Sequence, residues 1–384
     1  MVNQIKNIAC KFSPFVYLIG LTLLSSCDTI SDPPQSEDIN IPVYKLSISN
    51  EDYGTFVTNE FSDLSVNGKL YYENDTYNVE IEHHGFSSRG LFKKNYSLEF
   101  KKSDPLMNRM KVILSGQATD PSMLRAFLSA EIFREAGLKT FNIQPVFFYI
   151  NEDSQGLYYL IEPINEEFFS NKAINVGELY KAINGDAKFS FQENKELRYG
   201  FEKRIPKDDN YYTLEKLITT LDNEPDKTFE TKVESLLNVD AYLKYMAISV
   251  MICNWDGLVH NFYLYKDATT GLYEVIPWDL DITFILENSL TSLPGSAVLL
   301  TKLLQFQKYR DIYKKHFENY LNGCFSESNL YSKIDNMKNT ISKAYSQDRW
   351  LKTKGYDLNT ESEKIKNFIK QRRQYIQEQL NNFE

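Results

Sequence analysis

An α+β fold, strand-rich in its first part and mainly helical in its second, is what this 384-residue sequence predicts. Three observations carry the prediction. Between Val43 and Glu162 short runs alternate apolar and polar residues, the period of half-buried strands. From Asp240 onward, longer stretches repeat apolar residues at helical spacing. Within the second region lies a hairpin pattern with an acidic loop at each base, Asn254 to Asn261 and Pro277 to Asp281.

The N-terminus sets the compartment. Lys6 and Lys11 precede an uncharged, mostly apolar run from Phe12 to Leu24. A spanning helix needs about 20 apolar residues, so this shorter run reads as a signal-peptide core. Leu24-Ser25-Ser26-Cys27 resembles a bacterial lipoprotein box, which implies loss of residues 1–26 and lipid on Cys27. Residues 27–42 are polar, contain Pro33 and Pro34, and read as a tether. The expected location is the cell envelope, outside the cytoplasm, with the chain anchored by its lipid.

Composition excludes several partners. The formal charge is −9, and removal of residues 1–26 takes Lys6 and Lys11 and no acid, so the mature chain is more acidic still. No Lys/Arg cluster offsets this, which argues against nucleic acid and against polybasic attachment to anionic lipid. With 26 Tyr and 25 Phe the body is globular and not a disordered chain. Cys10 leaves with the leader and Cys27 takes lipid. Cys253 and Cys324 are too few for a disulfide framework, and Cys253 reads as a buried thiol.

One large domain or two intimate lobes are expected over residues 43–384, strand-rich over 43–168 and mainly helical over 169–384. Tyr44–Ile48 alternates, Val66–Leu70 reads as a hairpin turn, and Tyr77–Ile81 alternates again. Tyr96, Leu98 and Phe100 share one face of the next strand, and Lys94 falls on that face. One helix, about Ser122 to Glu135, stops at Gly137. Gly177–Lys181 is a small strand-like piece. Asp240–Ile252 reads as a helix capped by Asp240. Phe262–Tyr265 and Tyr273–Ile276 form a hairpin around Asp267–Gly271. Glu361–Leu380 is amphipathic, with Ile365, Phe368, Ile369 and Ile376 near one stripe and Lys and Arg opposite.

The hairpin brings the acidic loops to one end. Asp256 and Asn261 are five residues apart and Asp279 follows Asn261 by eighteen. A lone loop Asp ordinarily caps a turn. Two such loops joined by a hairpin, with an Asn at this offset, match the spacing of a protein-kinase catalytic loop and its metal-binding Asp. Phosphoryl transfer asks for hard, oxygen-coordinated cations and a positioned hydroxyl, which carboxylates and one amide supply. His83, His84 and His260 offer no closing zinc set, because the first two face opposite ways along a strand.

Asn254 to Asn261, with Trp278-Asp279-Leu280-Asp281, resembles the CotH family, atypical kinases related to bacterial spore coat protein H. The segments Gly85 to Tyr96, Asp120 to Arg125, and Phe148 through Gly156 and Tyr158 to Glu162 are similar to family segments, in family order. The likeness runs from about Val43 to the C-terminus. It departs at two positions: His84 stands where the family usually has Arg, and Asn95 where it has Ser. The resemblance implies a two-lobed kinase-like fold using ATP and Mg2+ or Mn2+. Asp256 would be the catalytic Asp and Asp279, with Asn261 and Asp281, the metal ligands. A small lobe of that kind makes Lys94, ahead of Lys93, the candidate phosphate lysine and Glu131 its partner. Arg89 sits in a loop able to cover phosphates, Arg125 either pairs with an acid or meets phosphate, and Glu162 completes the matched hairpin.

Three functions fit these residues. The first is an exported, lipid-anchored kinase acting on Ser, Thr or Tyr of envelope or secreted proteins. The second is a weak or inactive kinase fold serving as a cell-surface binding or adhesion protein. The third is a metal-dependent hydrolase using the same carboxylates. Metal-dependent ATP binding separates the first from the second, and nucleotide cleavage without an acceptor favours the third.

Overall fold

The structure is a computed structural model and describes residues 39–285, 292–293 and 297–383. Cys27, the leader and most of the tether lie outside the described residues. Among the described residues there are eleven strands: β1 (Val43–Ile48), β2 (Ser65–Tyr72), β3 (Asp75–His84), β4 (Asn95–Phe100), β5 (Lys111–Ser115), β6 (Ile143–Ile150), β7 (Asp153–Ile161), β8 (Val176–Ala182), β9 (Phe201–Ile205), β10 (Phe262–Asp267) and β11 (Tyr273–Pro277). The helices of the first part are α1 (Asn50–Thr58), α2 (Arg125–Glu135) and α3 (Glu166–Asn171). Those of the second are α4 (Tyr212–Asn223), α5 (Asp226–Glu234), α6 (Val239–Met251), α7 (Val298–Leu303), α8 (Gln307–Asn322), α9 (Glu327–Gln347), α10 (Arg349–Thr353) and α11 (Leu358–Asn381). Among the described residues no helix is long and apolar enough to cross a membrane.

The first seven strands close into a barrel in the order β1-β2-β3-β4-β5-β7-β6. β6 lies parallel to β1 and seals it, and the other neighbours are antiparallel. Closure removes the unpaired edges that would invite association. Tyr44, Leu70, Ile81, Leu98, Leu114 and Phe148 fill the interior. β6 and β7 are apolar on both faces because their outer residues, Phe147, Leu157 and Tyr159 among them, join a second core shared with α2. Val66–Leu70 is therefore mid-strand and not a turn. Its Gly68 lies where a Cβ would come within 3.0 Å of Leu46 and of the Ser47 carbonyl, so glycine here serves a close approach between strands. α1 and α3 join α2 in the strand-rich part, beyond the one helix expected.

The second part is not helical throughout. β8 to β11 make a four-stranded sheet, order β11-β10-β8-β9, and the helices pack on it. The 168/169 boundary falls inside α3, whose Phe168 and Phe169 are buried in the core shared with this sheet. Phe169 packs on Tyr265 of β10, ring centroids 5.3 Å apart.

α6 is the buried spine, with Leu243, Ala247, Val250 and Met251 all inside. Its cap is Asn238, whose side chain accepts from the Ala241 N–H, and not Asp240. Asp240 instead pairs with Lys244 and His316. At the far end Arg372 of α11, fully buried, donates from Nη2 to the Val250 carbonyl at 2.7 Å. Arg372 was expected on a solvated face. The last-turn carbonyls of a buried helix have no water to bond, and a guanidinium satisfies them. Cys253 and Cys324 are both buried and no disulfide joins them.

Candidate active site

The acidic loops are placed by α6 and by the β10–β11 hairpin. After α6 the chain turns through Cys253, φ +53°, into a short 3-10 turn, Asp256–Leu258. Gly257 is required there. A Cβ would lie 2.2 Å from Asn254 Nδ2 and 2.9 Å from Tyr245 Oη, and that hydroxyl donates to the Gly257 carbonyl at 2.7 Å. The loop closes with the His260 N–H donating to the Asp256 carbonyl at 3.0 Å. Phe262 then pairs with Pro277, and the Trp278 N–H donates to the Asn261 carbonyl at 3.0 Å. Asn261 and Asp279 thus leave the hairpin at the same end.

Both residues have left-handed backbones, Asn261 at φ +49° and Asp279 at φ +55°. Asn and Asp tolerate this region better than other side chains, and it concentrates at functional sites. Asn261 Nδ2 donates to Asp256 Oδ2 at 2.6 Å, which leaves the Asn261 side-chain oxygen, Oδ1, directed elsewhere. Asp281 accepts from the Thr119 hydroxyl, and Thr283 Oγ1 lies 2.9 Å from Ser129 Oγ on α2, so α2 and its leading loop brace the second acidic loop.

Asn261, Asp279 and Asp281 stand in the wall of a cavity of about 540 Å³. Asn261, Asp279, Asp281 and Thr119 line it with His84, Gln117 and Lys181, and Leu91, Ile113, Ala126, Phe141, Ile161 and Trp278 make an apolar wall. Phe86, 96% exposed, stands at the rim. Burial, then the charges of Asp281 and Asp256, push the Asp279 carboxyl up to about 7, with Lys181 opposing. Burial raises Asp281 and Asp256 as well, His260 opposing for the latter. Burial, then Lys181, Lys111 and Arg89, hold His84 down to about 4, so its imidazole is neutral at pH 7.

The donor set suits a hard cation. Desolvation by the surrounding protein raises the proton affinity of all three carboxylates, and at Asp279 the charges of Asp281 and Asp256 add to it with Lys181 opposing, so the set has room for positive charge. Among the described residues no group of three or more His, Cys, Asp or Glu already closes around a point. Mg2+ is commonly held by one or two carboxylates together with substrate phosphates and water, and Asp279, Asp281 and the Asn261 oxygen fit that pattern.

A stability prediction arises here. A carboxyl whose folded pKa exceeds its unfolded value costs nothing below pH 3.8, costs progressively more as pH rises toward 7, and its full penalty persists above. Asp279 is also exposed to solvent, which screens much of that shift, so Asp279→Asn is expected to stabilise the metal-free chain by on the order of 1 kcal/mol at pH 8 and by nothing near pH 4. Urea melts at the two pH values check this, and an equal gain at both would contradict it.

The lysines fall differently from expectation. Lys93 is the buried one, 2% exposed, and it donates to Asp348 Oδ2 at 2.7 Å in a seam between the barrel and α10. Lys94 turns the other way, pairing with Glu60 at 2.8 Å and donating to the Arg89 carbonyl. Adjacent residues in extended chain point oppositely, and both point away from the cavity. Glu131 is no partner of Lys94, because it faces outward to Arg134 and Lys333. Arg89 bonds Asp63 and the Ser62 and His83 carbonyls. Arg125 pairs with Asp120 at 3.4 Å. Glu162 accepts from the Asn142 N–H and from Lys172. Among the described residues that line the cavity none of these six appears.

Sequence reasoning missed Lys181. It sits on β8 opposite Tyr263 of β10, two residues beyond Asn261, and its charge reaches Asp279. Burial lowers its pKa, Arg204 adds to this, and Asp279 opposes. The strand-like reading of Gly177–Lys181 was the available signal, but the pairing of β8 with β10 is not legible in a single sequence. Both departures from the resembled segments, His84 and Asn95, also line the cavity.

Inner spore coat protein H of Bacillus subtilis is 27% identical over 354 residues, 89% of this chain and 98% of that protein. Invasin CotH3 of Rhizopus delemar is 22% identical over 321 residues, 74% of this chain and 53% of that protein, so the chain spans about half of this fungal relative. Among solved structures, the Helicobacter pylori proinflammatory kinase CtkA aligns with a TM-score of 0.38 and 11% identity, over 75% of this chain and 93% of that one. The model of the CotH kinase protein family matches residues 81–376, a span that runs from within β3 to within α11 and holds both acidic loops, and the chain belongs to that family.

Proposed function

We propose that this chain is a two-lobed atypical protein kinase of the cell envelope, anchored by lipid on Cys27, that transfers the γ-phosphoryl group of ATP to Ser, Thr or Tyr hydroxyls of exported proteins. One observation carries the reading. Asn261, Asp279, Asp281 and Lys181 line a cavity that also carries apolar residues, Leu91, Ile113, Phe141 and Trp278 among them, and Asp256 accepts a hydrogen bond from Asn261 beside it. A nucleoside triphosphate needs both, charged groups for its phosphates and apolar surface for its base.

In this reading the acceptor hydroxyl sits against Asp256, held in place by Asn261 Nδ2. The hydroxyl oxygen forms a bond to the γ-phosphorus as the bond from that phosphorus to the β–γ bridging oxygen breaks. The proton passes to Asp256 and ADP leaves with the bridging oxygen. Asp279, Asp281 and Asn261 Oδ1 would hold Mg2+ or Mn2+, which when bound neutralises triphosphate charge. Lys181 takes the phosphate role first assigned to Lys94.

The test is transfer of labelled phosphate from ATP with Mg2+ or Mn2+ to a generic protein acceptor and to the chain itself. Lys181→Met is expected to weaken ATP binding by ~10-fold or more, the loss of a charged hydrogen bond, while Lys94→Met leaves it within ~2-fold. Absence of both transfer and metal-dependent ATP binding in the wild type would reject the kinase reading and favour a surface-binding role.

A further inference from the structure

Gln117 follows β5 and lines the cavity, 5% exposed, with a left-handed backbone at φ +49°. Gln has no particular tolerance for that region, so surrounding structure holds it there. Hydrogen bonds hold its amide. The Gly116 backbone N–H donates to Asn95 Oδ1 at 2.7 Å, which fixes the Asn95 carboxamide. Ser115 Oγ donates to the same oxygen at 3.4 Å and accepts from Gln117 Nε2 at 2.8 Å. With its amide nitrogen on Ser115, Gln117 presents its carbonyl oxygen, Oε1, on the other side. That oxygen is buried and without a partner.

A buried acceptor left unsatisfied is destabilising and rare in native interiors. On a cavity wall it marks a place where something arrives with an N–H or O–H. Phosphate oxygens of an ionised triphosphate only accept, so they do not meet this need and are repelled by it. The apolar residues nearby, Ile113 and Leu91 among them, provide the surface on which a planar base rests.

Resting on the reading of this cavity as a nucleotide site, we propose that Gln117 Oε1 accepts a hydrogen bond from the nucleoside part of the ligand and so makes the site selective for it. The donor is either the exocyclic amine of the base or a ribose hydroxyl. Asn95 and Ser115 act as positioning residues, holding the amide the right way round.

The experiment measures equilibrium binding of four probes to the full-length chain with Mg2+: ATP, purine riboside triphosphate lacking the exocyclic amine, 2′-deoxy-ATP and 3′-deoxy-ATP. One analogue is expected to bind at least ~10-fold more weakly than ATP, which identifies the donor, because a site built around a hydrogen bond rejects ligands that lack it. Gln117→Met should bring ATP down to that analogue's affinity while leaving the analogue itself unchanged. Ser115→Ala, which frees the amide to flip, should narrow the gap. Equal affinities across all four probes would overturn the proposal without any variant, as would a gap that survives intact in folded Gln117→Met. If the wild type binds no nucleotide at all, the nucleotide reading itself fails and this proposal goes with it. ATP binding without discrimination rejects only the role of Gln117.

Discussion

Asp256→Ala is expected to lower phosphate transfer by ~10³-fold or more while leaving metal-dependent ATP binding within a few-fold of wild type, since removal of a positioned proton acceptor typically costs ~10²–10⁴ in rate. The geometry behind this is the Asn261–Asp256 hydrogen bond of 2.6 Å, which holds the carboxylate at the hairpin end. Asp279→Ala should behave differently. Asp279 lies between Asp281 and Lys181 in their electrostatic reach, at the cavity wall, so its loss should abolish metal-dependent nucleotide binding and transfer together. Labelled-ATP transfer and calorimetry on both variants check the split. Binding lost equally in both, or transfer retained in Asp256→Ala, would remove the assignment of separate roles.

Asp348→Ala should destabilise the chain by about 3–5 kcal/mol, the usual cost of leaving a buried charge without its partner. Asp348 is fully buried and accepts from Lys93 Nζ at 2.7 Å, the Leu157 N–H at 2.8 Å, and the Trp350 and Leu351 N–H groups at 2.8 and 3.0 Å. It therefore caps α10 and pins the barrel to the C-terminal helices at once. Gly156 faces it at φ +95°, where a Cβ would lie 2.2 Å from Asp348 Oδ2, so glycine is required on both counts. Lys93→Met should cost less than Asp348→Ala, because Asp348 keeps three N–H donors when the lysine goes. Asp348→Asn should fall between, keeping the cap acceptor but stranding the ammonium. Urea midpoints give the order, and a reversal of it would show that the ion pair does not govern the seam.

Much of the site was legible because its motifs are local. Asp256, Asn261 and Asp279 are joined by one hairpin, and Phe262–Tyr265 and Tyr273–Ile276 pair over the stretch that alternation indicated. α6 and α11 were visible from periodicity for the same reason, since a helix buries residues close in sequence. Caps were less legible. Asn238 and Asp240 are both good N-cap residues, and only the pairing of Asp240 with Lys244 and His316 decides between them.

By itself, then, the sequence determined the acidic loops at the hairpin and the spine helix behind it, because each rests on residues within one or two elements, and it determined the family through motifs spread along the chain. The tertiary structure alone decided which lysine meets the acids. Strand alternation separates Lys93 from Lys94 but does not say what lies on either side. That Lys93 finds Asp348, 255 residues away, follows from closure of the barrel against α10, and that Lys181 faces Asp279 follows from β8 pairing with β10. Long-range pairing is a property of packed surfaces and not of local propensity, and the placement of a single buried charge depends on it.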